Sequence, residues 1–211
     1  MKALIMSGGT KPSKELALKE AAESSYVIGV DKGIEYLYEY NIEPNIVLGD
    51  FDSVDIGVLN KITHSYKQLV KFPPEKDFTD TQAAINKCQE LNVEEIVILA
   101  ATGTRLDHTL ANIGLLYQCL ERGKKAVIKD EKNTIFMTNN DIKLDGFNTG
   151  YFSLMAFAGV VENVNIRGAK YPLYDYRLAP WDNITISNEF CGETVNITFN
   201  SGTLLIFYSM D

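Results

Sequence analysis

The sequence predicts an α/β fold in two parts: an N-terminal, mostly parallel sheet flanked by helices, Rossmann-like in kind, and an antiparallel all-β sandwich domain. Up to Gly123, short apolar runs alternate with helical patterns, which is typical of βαβ units. After Gly123 no strong helical period is visible, and short β-rich runs follow one another. Because glycine commonly ends a long helix, we place the boundary there, giving domains 1–123 and 124–211.

In the N-terminal part, the predicted strands are the apolar runs Ala3–Met6, Tyr26–Val30, Ile46–Leu48, Gln68–Phe72 and Ile96–Ala101. The predicted helices lie between or after them, at Ser13–Glu23, in a segment ending at Tyr40, at 55–62, at Asp80–Leu91 and at Leu106–Glu121. In the last helix, apolar residues at helical spacing predict a face turned to the core: Leu106, Leu110, Ile113, Tyr117 and Leu120.

In the C-terminal part, Thr194–Phe199 alternates polar with apolar residues, and Leu204–Tyr208 follows the turn at 200–202. Tyr151–Phe157 and Ile184–Ile186 are further predicted strands. Short strands separated by turns predict antiparallel pairing.

Charge and cysteine content exclude several classes of protein. The 211 residues include 28 acidic and 20 basic side chains, a net charge of −8, which disfavours nucleic acid and anionic membranes as partners. The N-terminal apolar run is too short for a signal peptide, and none reaches the ~18 residues of a spanning helix. Three cysteines without a CxxC pair are typical of a reducing compartment, so we expect a cytoplasmic protein.

Aspartates follow the predicted parallel strands, at the edge of an open α/β sheet where ligands bind. Asp50 and Asp52 are two apart in an extended segment and point to the same side, where a shared Mg²⁺ would neutralise their repulsion. The alternative is that each aspartate only caps a turn or helix. The full set comprises Asp31, Asp50, Asp52, Asp77, Asp80 and Asp107.

Two segments open predicted helices beside these acids. Thr79 and Gln82 have capping-box spacing, which places Asp80 at the first helical position, where the dipole alone favours a carboxylate. This box leaves Lys76 and Asp77 unexplained, although Lys76 is equally compatible with a solvated surface charge.

The second segment, 102–108, is a glycine turn that leads into a helix. Thr102 and Gly103 would present free N–H groups to phosphate, and Arg105 adds a guanidinium matched to phosphate oxygens. Alternatively, Thr104 and Asp107 are caps, and Arg105 lies on the surface.

The glycines Gly8 and Gly9 follow the first strand and resemble the opening of sugar-nucleotide nucleotidyltransferases. In that family the motif GGxGTRL is contiguous, whereas here Gly103–Leu106 lies far downstream, which counts against that family.

Taken together, the motifs resemble the thiamine pyrophosphokinase family over nearly the whole chain and in the same order. The matching segments are Asp31–Gly33, Gly49–Ser53, Lys76–Asp80, Arg105–Asn112, Gly168–Leu173 and Ser187–Glu189. Two residues depart from the family pattern: Lys32 and Thr104 stand where glycine is usual.

The resemblance implies Mg²⁺-dependent transfer of pyrophosphate from ATP to the hydroxyl of thiamine, giving thiamine diphosphate and AMP. It implies Asp50, Asp52 and Asp80 as metal ligands, and Asp52, Asp77 and Arg105 as catalytic residues, with Asp77 a candidate for taking the hydroxyl proton. The implied ATP-binding residues are Gly8, Gly9, Asp31, Lys76, Thr102, Gly103, Arg105 and Asp107.

By the same resemblance, the β domain would carry the thiamine pocket at a homodimer interface. Tyr171 would stack on the cationic thiamine ring system, and Ser187 and Asn188 would supply hydrogen bonds. Two alternatives stay open: a Mg²⁺-dependent nucleotidyltransferase, and a non-catalytic sensor of nucleotide or thiamine.

Overall fold

The computed structural model describes residues 1–51, 54, 57, 69–71, 77–145 and 149–211. The chain divides into two compact units, Met1–Glu131 and Lys132–Asp211. Its secondary structure is mixed α/β, with parallel strands in the first unit and antiparallel strands in the second. No helix in these described ranges has the length and apolar character needed to cross a membrane.

The first unit contains a sheet of parallel strands in the order β4-β3-β2-β1-β5-β6. The order changes direction beside β1, whose neighbours are β2 and β5, and such a switch point opens a crevice at the carboxyl ends of the strands. The strand bounds are β1 Lys2–Met6, β2 Tyr26–Val30, β3 Ile46–Gly49, β4 Leu69–Lys71, β5 Glu95–Leu99 and β6 Lys125–Lys129.

Two of the described helices of this unit, α1 and α3, begin at a hydroxyl cap, whereas α2 and α4 begin at Lys32 and Arg105 without a side-chain cap. The hydroxyl of Ser13 accepts a hydrogen bond from Leu16 N, and that of Thr79 accepts one from Gln82 N. The helix predicted at 55–62 lies outside the described residues. The helix bounds are α1 Lys14–Ala22, α2 Gly33–Glu39, α3 Asp80–Glu90 and α4 Leu106–Glu121.

A buried carboxylate joins α1 to the sheet. Glu20 is 1% exposed and accepts hydrogen bonds from Lys2 Nζ at 2.7 Å and Lys129 Nζ at 2.6 Å. Burial alone would raise the pKa of Glu20, but the hydrogen bonds from Lys129 and Lys2 outweigh it and hold the pKa below its ordinary value.

The unit boundary differs from the predicted one. Gly123, with φ 68°, follows the end of α4 as expected, but the chain then returns to the same sheet as β6, parallel to β5. The division therefore falls after Glu131 rather than after Gly123.

The second unit is built around one long strand. β9 pairs with β13 through its first half and with β10 and β12 through its second half, with a register shift near Ala158, whose φ is 59°. Phe152, Leu154, Val161 and Ile206 are fully buried in its core. The strand bounds are β7 Asn133–Thr138, β8 Ile142–Leu144, β9 Tyr151–Arg167, β10 Leu173–Leu178, β11 Asn188–Glu189, β12 Val195–Thr198 and β13 Ser201–Ser209.

Two sequence predictions are wrong. The segment 184–186 is a turn, because Ile186 N bonds Asn183 O and the Thr185 hydroxyl donates to Leu154 O at 2.6 Å. Leu106 and Leu110 are 71% and 67% exposed. Ile113 is buried as predicted, and the other buried residues of α4 are Asn112, Leu115, Leu116 and Cys119.

Candidate functional site

The loops after β1 and β5 are joined by main-chain hydrogen bonds. Gly9 N donates to Ala100 O at 2.7 Å, and Thr10 N donates to Thr102 O at 2.7 Å. A Cβ on Gly9 would lie 2.5 Å from Ala100 O and even closer to Thr102 O, so this approach requires glycine. The two loops therefore form one continuous edge of the crevice.

The ends of β2 and β3 bring two carboxylates next to each other. Asp31 follows β2 with φ 45°, and its N–H donates to Leu48 O at 3.1 Å. Its Oδ1 occupies the space that a Cβ on Gly49 would take, so glycine at position 49 makes room for this carboxylate. Gly49 directly precedes Asp50, so Asp31 lies beside the strand end that carries Asp50.

Helices α3 and α4 complete the site with residues near their N-terminal ends. The hydroxyls of Ser7 and Thr81 are both buried and hydrogen bond at 3.0 Å, which ties α3 to the end of β1. The buried Asn112 on α4 donates from Nδ2 to Ala101 O at 2.8 Å and holds the loop after β5. Asp80 opens α3, as predicted.

These elements enclose a cavity of about 710 Å³. Its walls come from the loops after β1, β2 and β5, from the first turn of α3 and from the first two turns of α4, and its volume is in the range of small-molecule and cofactor sites. The cavity brings together seven of the predicted site residues: Gly8, Gly9, Asp31, Asp80, Thr102, Gly103 and Arg105.

An exposed ion pair stands at the cavity wall. Arg105 donates to Asp107 through Nη2 at 2.6 Å and through Nε at 3.3 Å. The hydrogen bond from Arg105 holds the pKa of Asp107 below its ordinary value, and the same bond raises the pKa of the guanidinium. Asp107 therefore orients Arg105, while Arg105 itself lines the cavity.

Not all of the aspartates predicted for the site lie at the cavity. Asp77 is exposed, and neither Asp77 nor Asp50 is among the cavity-lining residues. Asp52 and Lys76 lie outside the described residues. Within the described ranges, no group of three or more His, Cys, Asp or Glu side chains could hold a metal ion. Asp31 and Asp50 nevertheless provide neighbouring carboxylates, the oxygen ligands that Mg²⁺ prefers.

Sequence reasoning missed two carboxylates at the end of β6. Asp130 Oδ2 accepts a hydrogen bond from the Thr102 hydroxyl at 3.1 Å, and Glu131 Oε1 accepts one from Ser13 N at 2.7 Å. A signal is present in the sequence, because Asp130 follows the short apolar run 126–128 after one lysine. The prediction omits it because the predicted parallel sheet ends before this strand.

In the second unit, Asn188 organises the main chain of Tyr171. Asn188 is buried, its Oδ1 accepts from Tyr171 N at 3.0 Å, and its Nδ2 donates to Tyr171 O at 2.7 Å. The side chain of Tyr171 is exposed, with Lys170 Nζ 5.3 Å from its ring centroid. Ser187 is exposed, and its N–H donates to Ser153 Oγ at 2.9 Å.

The two departures from the family motif occupy ordinary backbone. Lys32 has φ −57° and ψ −23°, which any residue adopts. Thr104 is not among the residues with positive φ. Neither position therefore requires glycine for its conformation.

The fold and the cavity define the class: an α/β protein with a crevice at the carboxyl edge of a parallel sheet, the place where open α/β sheets bind ligands. The sequence matches the family descriptions "Thiamin pyrophosphokinase, catalytic domain" over residues 17–128 and "Thiamin pyrophosphokinase, vitamin B1 binding domain" over residues 136–204. It is 32% identical over 210 residues to a thiamine pyrophosphokinase from Bacillus subtilis, covering 98% of each chain.

Solved structures give the same result. A crystal structure of thiamine pyrophosphokinase from Bacillus subtilis matches with a TM-score of 0.90 and 28% identity, covering 100% of both chains. A thiamin pyrophosphokinase family protein from Enterococcus faecalis matches with a TM-score of 0.88 and 28% identity, also covering 100% of both chains. The chain belongs to the thiamine pyrophosphokinase family.

Proposed function

We propose that this chain transfers the terminal pyrophosphoryl group of ATP to the hydroxyl of thiamine. The hydroxyl oxygen attacks the β-phosphorus, the bond from that phosphorus to the α,β-bridging oxygen breaks, and AMP leaves with that oxygen while the hydroxyl proton is released. The observation that carries the proposal is the cavity at the carboxyl edge of the sheet, where Asp31, Asp80 and Arg105 come together. We take the sheet of the first unit as a Rossmann-like nucleotide-binding sheet.

A Mg²⁺ ion fits the donor chemistry of this edge. Asp50 and Asp80 would hold it together with Asp52, which the sequence places two residues after Asp50, and Asp31 would support these ligands from the neighbouring strand end. When bound, the ion would neutralise charge on the phosphates of ATP. The residues themselves contribute hard oxygen ligands from separate strand ends and from the start of α3.

The other cavity residues act by positioning ATP. Thr102 and Gly103 lie on the loop that leads into α4, and Gly8 and Gly9 lie on the facing loop, so both can bring main chain close to phosphate. Arg105, oriented by Asp107, supplies a guanidinium for the transferred group. From the sequence, Lys76 adds a second cation and Asp77 takes the hydroxyl proton.

We assign thiamine binding and dimerisation to the second unit. Tyr171 offers an exposed ring on a main chain that Asn188 fixes, and Ser187 lies directly before that asparagine. Exposed apolar side chains support a homodimer: Trp181 is 75% and Ile184 is 59% exposed. Sedimentation velocity should show a dimer for the wild type and a monomer for Trp181→Glu; a monomeric wild type would contradict this assignment.

We place the protein in the cytoplasm. Cys88, Cys119 and Cys191 are all free thiols, which fits a reducing compartment.

Phosphorus NMR of the protein with Mg-ATP and thiamine tests the activity. Thiamine diphosphate and AMP should appear together in equal amounts, and Asp50→Asn and Asp52→Asn should each abolish both while the circular dichroism stays unchanged. Asp145→Asn, which removes an exposed carboxylate of the second unit, serves as the matched control and should keep full activity.

The alternative functions give different products. A nucleotidyltransferase would release pyrophosphate, and a non-catalytic sensor would bind ATP or thiamine without any product. Either result would refute the proposed transfer.

A further inference from the structure

The end of β6 carries two adjacent carboxylates that bind the two loops forming the edge of the cavity. Asp130 accepts a hydrogen bond from the hydroxyl of Thr102, at 3.1 Å, on the loop after β5. Glu131 accepts one from the N–H of Ser13, at 2.7 Å, where the loop after β1 ends. We call Asp130 and Glu131 the β6 clamp.

The two residues that the clamp binds, Thr102 and Ser13, each make a second hydrogen bond to another part of the chain. The carbonyl of Thr102 accepts from Thr10 N, so Thr102 is held through its main chain by one loop and through its hydroxyl by the clamp. Ser13 caps α1 with its own hydroxyl, so Glu131 fixes the point at which the glycine loop becomes a helix. The β6 clamp thus contacts both loops, Asp130 the loop after β5 and Glu131 the loop after β1, and these two hydrogen bonds fix the distance between the loops.

We propose that Asp130 and Glu131 are positioning residues that set this spacing for the phosphates of ATP. The proposal rests on the proposed function. As anions, the clamp carboxylates repel phosphate and do not bind it themselves, so their effect on ATP passes through Thr102 and Ser13. Because we assign thiamine binding to the second unit, the clamp should leave the affinity for thiamine unchanged.

A double-mutant cycle tests the link between Asp130 and Thr102. Thr102→Val removes the hydroxyl and Asp130→Ala removes its acceptor; each should raise the KM for ATP about tenfold, the effect of losing one hydrogen bond to a charged group, and leave the KM for thiamine unchanged. Since both changes break the same contact, the double variant should be no worse than the worse single variant. Independent effects that multiply, or an equal rise in the KM for thiamine, would overturn the proposal.

Conservative variants separate positioning from general damage. Thr102→Ser and Asp130→Asn retain donor and acceptor and should restore a KM for ATP close to that of the wild type. Thr138→Val removes a hydroxyl that donates to Asn140 O at 2.9 Å in the second unit, and it should leave the KM for ATP unchanged. Loss of ATP affinity in Thr102→Ser as large as in Thr102→Val would contradict the clamp.

Direct binding distinguishes this proposal from the proposed function. Titrating Mg-ATP into the same variants without thiamine should show the same pattern in Kd, even if the wild type formed no thiamine diphosphate. Absence of product would then refute the transfer reaction, whereas an unchanged Kd in Asp130→Ala would refute the clamp.

Discussion

Replacing Gly9 by Ala should separate the two loops at the cavity edge. The added Cβ would lie 2.5 Å from Ala100 O and closer still to Thr102 O, so reaching an ordinary contact of 3.4 Å requires the two backbones to move apart by at least about 0.9 Å. This movement stretches two main-chain hydrogen bonds of 2.7 Å, made by Gly9 N and Thr10 N, beyond the usual range. We expect the free energy of unfolding to fall by about 2 kcal/mol, at about 1 kcal/mol for each bond.

The same displacement should affect catalysis more than stability. Misplacing phosphate-binding groups by about 1 Å costs on the order of 100-fold in rate, so kcat/KM for ATP should fall by about that factor. Steady-state kinetics and denaturant unfolding at a temperature where the variant stays folded measure both effects.

Gly114→Ala is the matched control. Gly114 lies within α4, and a Cβ there meets no atom within 4 Å among the described residues outside the adjoining backbone of the helix itself. It should keep the wild-type kcat/KM and gain up to about 1 kcal/mol of stability from helix propensity. A Gly9→Ala variant with the kcat/KM of the wild type would refute the close approach of the loops.

Three further predictions concern charge and thiols. Glu20→Gln should cost about 3 kcal/mol, because it leaves two lysines without their buried anion. In the wild type this stabilisation is present above pH 4.5 and is lost as the pH falls through the lowered pKa of Glu20. Acid unfolding of both proteins should show this pH-dependent loss of stability in the wild type but not in the variant. Asp107→Asn should raise the KM for ATP a few-fold, less than removing its guanidinium partner does; an unchanged KM contradicts the orienting role. Burial raises the pKa of Cys88 to about 12 and of Cys119 to about 11, so at pH 8 a thiol reagent should label only the exposed Cys191 until the protein unfolds.

Much of the first unit could be predicted because its signals are local. The strands β1 and β5 are buried on both faces, so each appears in the sequence as a continuous apolar run. The start of α3 is predictable because Thr79 caps the helix with its own hydroxyl. The gathering of Asp31 and Asp80 followed from one rule, that parallel strands end at the same edge.

What failed depended on contacts distant in sequence. Leu106 and Leu110 follow a helical period, but which side of α4 faces the sheet is decided by packing, and the loop after β5 draws Asn112 inward instead. The turn at 184–186 is fixed by a bond from Thr185 to Leu154, and no local pattern shows such a bond. The last strand of the first unit, β6, lies beyond the predicted boundary because the helix end at Gly123 is a local signal, whereas the pairing of β6 with β5 is a contact distant in sequence.

The hydrogen bonds between the loops after β1 and β5 also bear on how ATP would bind. Because Gly9 N and Thr10 N already bond to the opposite loop, the cavity has its walls before any ligand arrives. In a preformed site, little of the binding free energy is lost to ordering the chain. The apparent Kd is also not raised by a large population of conformations that cannot bind the ligand. Amide hydrogen exchange at these two positions should therefore be slow in the free protein and change little when Mg-ATP is added.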